Sequence, residues 1–198
     1  MGDRIAGLYQ EKALAWDQQR GRDLIERGWL KRFAALLPEA GEVLDLGCGM
    51  GEPIGRWLVE RGFRVTGLDS SDTLIALCRD RFPDQKWLVG DMRGLDLGRR
   101  FDGVLAWHSL FHLTADDQRA MFPRFAAQAR PGAALMFTSG PEAGETIGEW
   151  QGEPLYHASL EPAEYDELLQ ANGFKLVERR LRDADCGGAT VWLARRRD

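Results

Sequence analysis

From residue 42 onward the chain alternates short apolar runs with stretches of helical periodicity, and this alternation constrains the fold more than any other feature. The runs "EVLDL" (42–46), "FRVTGLD" (63–69), "KWLVGD" (86–91), "FDGVLAWH" (101–108) and "AALMFTSG" (133–140) read as strands. Between them, 53–61, 71–82 and 114–132 read as helices: Pro53 suits a first turn, and Ser71 or Asp72 suits an N-cap. Pro123 is expected to kink or break the third of these. Strands separated by crossover helices pair in parallel, with the helices on both faces. The C-terminal part predicts a helix over "EPAEYDELLQANGF", stopped at Gly173, then strands over 174–182 and 189–195 paired as a hairpin around "ADCGG". The expected architecture is a doubly wound, mainly parallel seven-stranded sheet with a C-terminal antiparallel hairpin. Residues 3–37 predict two helices ended by Pro38, an N-terminal extension over 1–38. Residues 140–160 predict a long irregular loop, and a loop of that length is expected to be functional.

At 198 residues the chain fits a single domain, 1–198. No run approaches the length of a membrane span, and the first dozen residues lack a signal-peptide apolar core, so a cytoplasmic protein is expected. Cys48, Cys78 and Cys186 form no CxxC pair, which suits a reducing compartment. A net charge of −5 disfavours nucleic acid; the clusters Arg179-Arg180-Arg182 and Arg195-Arg196-Arg197 read as solvated faces or a charged tail.

The first strand closes on "LDLGCGMGEP" (44–53), a G-x-G-x-G order with Asp45 two residues ahead of the first glycine. A dinucleotide fingerprint requires G-x-G-x-x-G, and its last glycine falls on Glu52; a phosphate loop requires a Lys-Ser/Thr pair that does not follow. A carboxylate at the helix entrance also repels a pyrophosphate. "VLDLGCGMG" resembles motif I of the class I S-adenosylmethionine-dependent methyltransferases. "VTGLDSS" resembles their acidic second motif and "VGDMRGL" the third. "FDGVLAWHSLFHL" is similar to their fourth strand and loop, and "GAALMFTSG" to the fifth strand.

The resemblance implies a Rossmann-like fold with S-adenosyl-L-methionine as cofactor. Gly47, Cys48, Gly49 and Gly51 then let the backbone approach the methionine portion, whose carboxylate meets helix N–H groups. Asp45 attracts the ammonium, and Asp69, 20 residues after Gly49, meets the ribose diol. Asp91 accepts from the adenine amino group, Ser70 and Met92 flank the ring, and Trp107 offers its face to the sulfonium. Asp69 and Asp91 equally suit helix caps. Arg20 or Arg22 is a candidate for the methionine carboxylate, with Tyr9 and Trp16 in a segment that such enzymes use as a lid; packing and solvated charge are the alternatives.

The acceptor side is less explicit. His108 and His112 serve as a general base, as pocket lining, or in ordinary packing. Their spacing of four lacks the Glu of HExxH, so no metal is expected. Phe111, Trp150, Tyr156 and His157 either line the acceptor pocket or anchor their loop. "AWHS" stands where enzymes acting on amides or exocyclic base amines carry an Asn/Asp-Pro-Pro-aromatic motif. The expected acceptor is therefore a small molecule, taken by a monomer or homodimer. A non-catalytic adenosylmethionine-binding protein, an RNA methyltransferase and a nicotinamide-dependent oxidoreductase remain the alternatives.

Overall fold

The computed structural model describes residues 2–19 and 21–198, without the side chains of 2–4 and 6. Helices α1 (Gly2–Glu11), α2 (Ala13–Gln19) and α3 (Arg27–Ala34) precede β1 (Glu42–Leu46). The body then runs α4 (Ile54–Val59), β2 (Arg64–Asp69), α5 (Asp72–Arg81), β3 (Lys86–Val89), β4 (Phe101–Ala106), α6 (Ala115–Gln128) and β5 (Ala129–Ser139). It continues with β6 (Gly144–Trp150), β7 (Glu153–Ser159), α7 (Pro162–Ala171), β8 (Phe174–Asp183) and β9 (Ala189–Arg196).

Seven strands form one sheet in the order β3-β2-β1-β4-β5-β9-β8. Strands β1 to β5 pair in parallel; β9 runs antiparallel to β5 and to β8. This is the doubly wound sheet with a C-terminal hairpin that the alternation predicts. Alternate residues of the buried strands feed two separate cores. Leu44, Leu46, Val104 and Phe137 pack under α6 and α7 with Phe122, Phe125 and Tyr165. Val43, Val65, Leu105 and Met136 face α3, α4 and α5 with Trp29, Phe33 and Trp57. Burial of both faces explains why these strands read as continuous apolar runs.

Three local expectations are corrected. The N-terminal segment forms three helices rather than two. Helix α6 runs through the exposed Pro123 without a break. Residues 140–160 are not irregular: β6 and β7 form an antiparallel hairpin with Ile147 opposite Tyr156. Strand β6 is exposed along nearly its whole length, so no core-facing alternation marked it. Among the described residues no helix is long and apolar enough to cross a membrane.

The order of strands reverses between β1 and β4, and a crevice opens beyond their carboxyl ends. Two loops interlock there. Ser109 Oγ donates to the Leu46 carbonyl at 2.7 Å, and a Cβ on Gly47 would stand 2.4 Å from the Ser109 Cβ. Only glycine fits at 47, where φ is +71°.

Candidate functional site

The crevice holds a cavity whose wall includes Asp45, Gly47, Cys48, Gly49, Asp69 and Trp107, together with Ser70, Asp91, Met92, His108 and His112. Gly51 does not line it. With φ +76° and Phe82 3.1 Å from where its Cβ would lie, Gly51 instead lets α5 close on the turn. The three glycines thus do different work: Gly47 admits Ser109, Gly51 admits Phe82, and Gly49 faces the cavity. The Cβ position of Gly49 meets nothing nearer than the Trp16 ring nitrogen at 3.7 Å.

Asp69 organises this turn. Its Oδ2 accepts from the Gly49 N–H and its Oδ1 from the Ser71 N–H, both at 2.9 Å. Burial raises the Asp69 carboxyl despite these bonds. Asp45, 4 % exposed, is pushed up to about 7, by burial first and then by the Asp69 charge. Asp91 is exposed and caps the short turn Met92–Gly94: it accepts from the Arg93 N–H at 2.8 Å and pairs with the Arg93 guanidinium at 2.5 Å, which holds it below the usual carboxylate range. The cap that the sequence allowed for Asp91 is present, and Asp91 also stands at the cavity wall.

Trp107 follows directly on β4 and is buried, and its Nε1 has no hydrogen-bond partner among the described residues. The next residue, His108, takes a left-handed backbone (φ +51°), and its N–H is held by Thr138 Oγ1 at 2.9 Å. A non-glycine residue in that region stores strain that the surrounding structure must enforce. The twist turns His108 so that it lines both the first cavity and a second cleft of about 620 Å³, whose wall also carries Phe111, Glu142, Glu145 and His157.

His112 lies in a 3-10 turn, Leu110–His112, and is 9 % exposed. Its Nδ1 is 3.0 Å from the Tyr156 carbonyl oxygen and its Nε2 3.3 Å from the Tyr9 hydroxyl. A carbonyl only accepts, so Nδ1 carries the proton and Nε2 accepts from Tyr9. Burial drives His112 down to about 4, keeping it neutral.

These contacts join three distant parts of the chain. Tyr9 stacks on Trp150 at 5.9 Å, Trp16 meets both rings edge-on at 5.3 and 5.5 Å, and His112 lies 4.9 Å from His157. Helices α1 and α2 thereby roof the first cavity with Tyr9 and Trp16, and Trp150 of the hairpin backs both rings, a role for Tyr9 that sequence reasoning carried only as one choice of two. Polar ties hold the roof: Ser71 Oγ donates to Gln10 Oε1 at 2.8 Å, and Arg81 pairs with Asp17 at 2.8 Å.

Arg22 pairs with Asp17 at 2.8 Å and with Glu52 at 3.5 Å. Glu52 also reaches Arg81 at 3.4 Å and Arg56. The carboxylate read only as repelling phosphate is the hub that fastens the N-terminal segment to the glycine turn. Sequence reasoning missed this, because opposite charges 30 and 29 positions away carry no local signal. The expectation for Arg20 falls outside the described residues. Among the described residues no group of three or more His, Cys, Asp or Glu is arranged to hold a metal ion.

A family model described as a methyltransferase domain matches residues 43–132. The chain is 34% identical over 121 residues to a dTDP-4-amino-2,3,4,6-tetradeoxy-D-glucose N,N-dimethyltransferase of Saccharopolyspora spinosa, covering 59% of this chain and 48% of that one. It is 32% identical over 136 residues to a putative methyltransferase of Bacillus subtilis, covering 66% and 54%. The chain thus spans about half the length of the curated relatives it matches. Its fold matches SAM-bound CalS10, an amino pentose methyltransferase of Micromonospora echinaspora, with a TM-score of 0.71 at 21% identity over 94% of this chain and 96% of that one.

Proposed function

We propose, on the premise that this chain belongs to the class I S-adenosylmethionine-dependent methyltransferases, that it transfers a methyl group from S-adenosylmethionine to a small-molecule acceptor. The observation that carries this reading is His108, held in a strained backbone where the two cavities adjoin. One cavity then takes the cofactor and the other the body of the acceptor, with the reacting atoms at the boundary.

The residues of the first cavity fit the cofactor. The open Cβ position of Gly49 leaves backbone free for close approach, and the Trp107 Nε1 is a buried donor awaiting a partner. Asp45 and Asp69 supply negative charge toward an ammonium and a diol. When bound, S-adenosylmethionine supplies a methyl group on a sulfonium, an electrophile that needs no activation by the protein. What remains for the chain is alignment and exclusion of water. The rings of Tyr9 and Trp16 at the cavity wall, backed by Trp150, supply the exclusion.

His108 is the residue we assign to orient the acceptor nucleophile. His112 keeps Tyr9 oriented: its Nε2 lone pair accepts the Tyr9 hydroxyl proton. Phe111 and His157, whose rings lie 5.1 Å apart in the second cleft, are read as its walls. The printed names of the relatives include both N,N-dimethyltransferases and O-methyltransferases, which supports a small molecule and leaves open which atom receives the methyl group. We read residues 1–198 as one such domain, acting in a reducing compartment that the unpaired Cys48, Cys78 and Cys186 favour.

The test is calorimetry followed by turnover. S-adenosylhomocysteine should bind the purified protein at one site, and a panel of small amines, phenols, carboxylic acids and thiols should include an acceptor that releases it. No binding at millimolar ligand removes the reading.

A further inference from the structure

Two thiols meet under the glycine turn. Cys48, inside the turn, lines the first cavity; Cys78, on α5, is fully buried. Cys78 Sγ donates to the Gly49 carbonyl at 3.2 Å, and Cys48 Sγ lies 3.8 Å from the same oxygen. Both sulfurs are thus directed at one carbonyl oxygen. The site is tightly fitted around both sulfurs: Cys78 Sγ is 3.3 Å from where a Gly51 Cβ would stand, and Cys48 Sγ 2.7 Å from where a Gly67 Cβ would stand. Gly51 and Gly67, whose Cβ positions meet Phe82 and Trp87 first, also leave room for the two sulfurs, and no step of the proposed reaction uses the pair.

We propose that Cys48 and Cys78 are a disulfide-forming pair, and that their oxidation disables the turn that holds the cofactor. With oxidised glutathione as the oxidant, the Cys48 sulfur attacks one glutathione sulfur through the cavity and releases the first glutathione thiol. Cys78 then attacks the Cys48 sulfur of the mixed disulfide and releases the second. Two cysteine thiols are oxidised to one disulfide, one glutathione disulfide is reduced to two thiols, and the two cysteine protons pass to the leaving sulfurs. The new bond removes both sulfur donors from the Gly49 carbonyl and draws the turn toward α5. Gly49 is the residue whose N–H binds Asp69, so the displacement reaches the carboxylate as well. A bound ligand in the cavity covers Cys48 and slows the first step.

The functional half of this proposal rests on the reading of the first cavity as the cofactor site; the chemical half does not. The full chain is treated with oxidised glutathione, with and without S-adenosylhomocysteine, then measured by intact mass, peptide mapping, circular dichroism and calorimetry. The expected product has lost two hydrogens, carries a Cys48–Cys78 linked peptide, keeps its secondary structure, and binds S-adenosylhomocysteine roughly tenfold or more weakly, a change of about 1.4 kcal/mol or more. Reduction restores the affinity, and prior saturation with S-adenosylhomocysteine slows the linkage. Cys78→Ser keeps a donor for the Gly49 carbonyl and forms no internal disulfide, whereas Cys186→Ser still forms it. A folded, oxidant-treated protein without the linked peptide overturns the proposal, as does a linked protein of unchanged affinity. A reduced protein that binds no S-adenosylhomocysteine is a different failure, visible before any oxidant is added, and it overturns the reading of the cavity.

Discussion

Two buried titratable residues in the site pull the pH dependence of stability in opposite directions. Asp45 moves from 3.8 to about 7 on folding, so the native state holds that proton more tightly and the stabilisation is lost as pH rises through this window. His112 moves from 6.5 to about 4, so folding opposes its protonation and stability is lost as pH falls through that window. The full excursions are worth about 4 and about 3 kcal/mol, and they offset one another between about pH 4 and 6.5. Replacing either residue exposes the other. Asp45→Asn should raise the melting temperature relative to the parent more at about pH 8 than at about pH 5, and His112→Gln more at about pH 5 than at about pH 8. Differential scanning calorimetry at the two pH values decides this, and equal shifts at both would remove the assigned causes. Asp69→Ala should weaken S-adenosylhomocysteine by roughly 1–3 kcal/mol through the lost bond to its diol, and should also lower the melting temperature, since two backbone N–H groups lose their acceptor. Unchanged affinity in calorimetry would take Asp69 out of the site.

Among the elements, the turn between β1 and α4 separates binding from stability within three residues. Gly49→Ala adds a methyl group toward the cavity at φ +54°, at a strain of roughly 1–2 kcal/mol, and should abolish S-adenosylhomocysteine binding in a folded protein. Gly51→Ala pushes on Phe82 and should lower the melting temperature more than the affinity. The reverse ranking, measured by calorimetry and thermal melts, would reverse the roles. Much of this turn is legible in the sequence, because Asp45, the glycines and Asp69 follow one another in a local order fixed by one strand–turn–helix unit and the next strand. The roof above it is not. The Tyr9–His112 contact joins residues 103 positions apart, and β6 carries no buried face to reveal it as a strand. Trp150→Ala should loosen the roof, raising the dissociation rate of S-adenosylhomocysteine in stopped-flow fluorescence with little loss of thermal stability.

At the scale of the whole molecule, the hairpin behind the roof is bound to the sheet body by a few buried polar groups. Gln118 Nε2 on α6 donates to the Leu113 carbonyl at 3.0 Å and the Ala158 carbonyl at 2.9 Å. Tyr165 on α7 donates to Gln118 Oε1 at 2.5 Å and accepts from the Leu160 N–H at 3.1 Å. Tyr165→Phe takes the partner from Gln118 Oε1 and from the Leu160 N–H and should cost roughly 1–3 kcal/mol by chemical denaturation. The sheet order followed from the central strands because both their faces are buried; these cross-links did not, since glutamine and tyrosine at such positions look like any helix surface. One of the ties has a further consequence. The Gly140 N–H donates to Ser159 Oγ at 2.7 Å, which clips the excursion through β6 and β7 where it leaves the sheet, while the Tyr156 and Ala158 carbonyls tie β7 to His112 and Gln118. The excursion's length is decoupled from the strand register, as in a cassette clipped at its base. Hairpins of other lengths and linings are expected to be exchangeable beyond this clip while β5 and α7 keep their places, which on the proposed reading makes the segment a handle for re-engineering the acceptor.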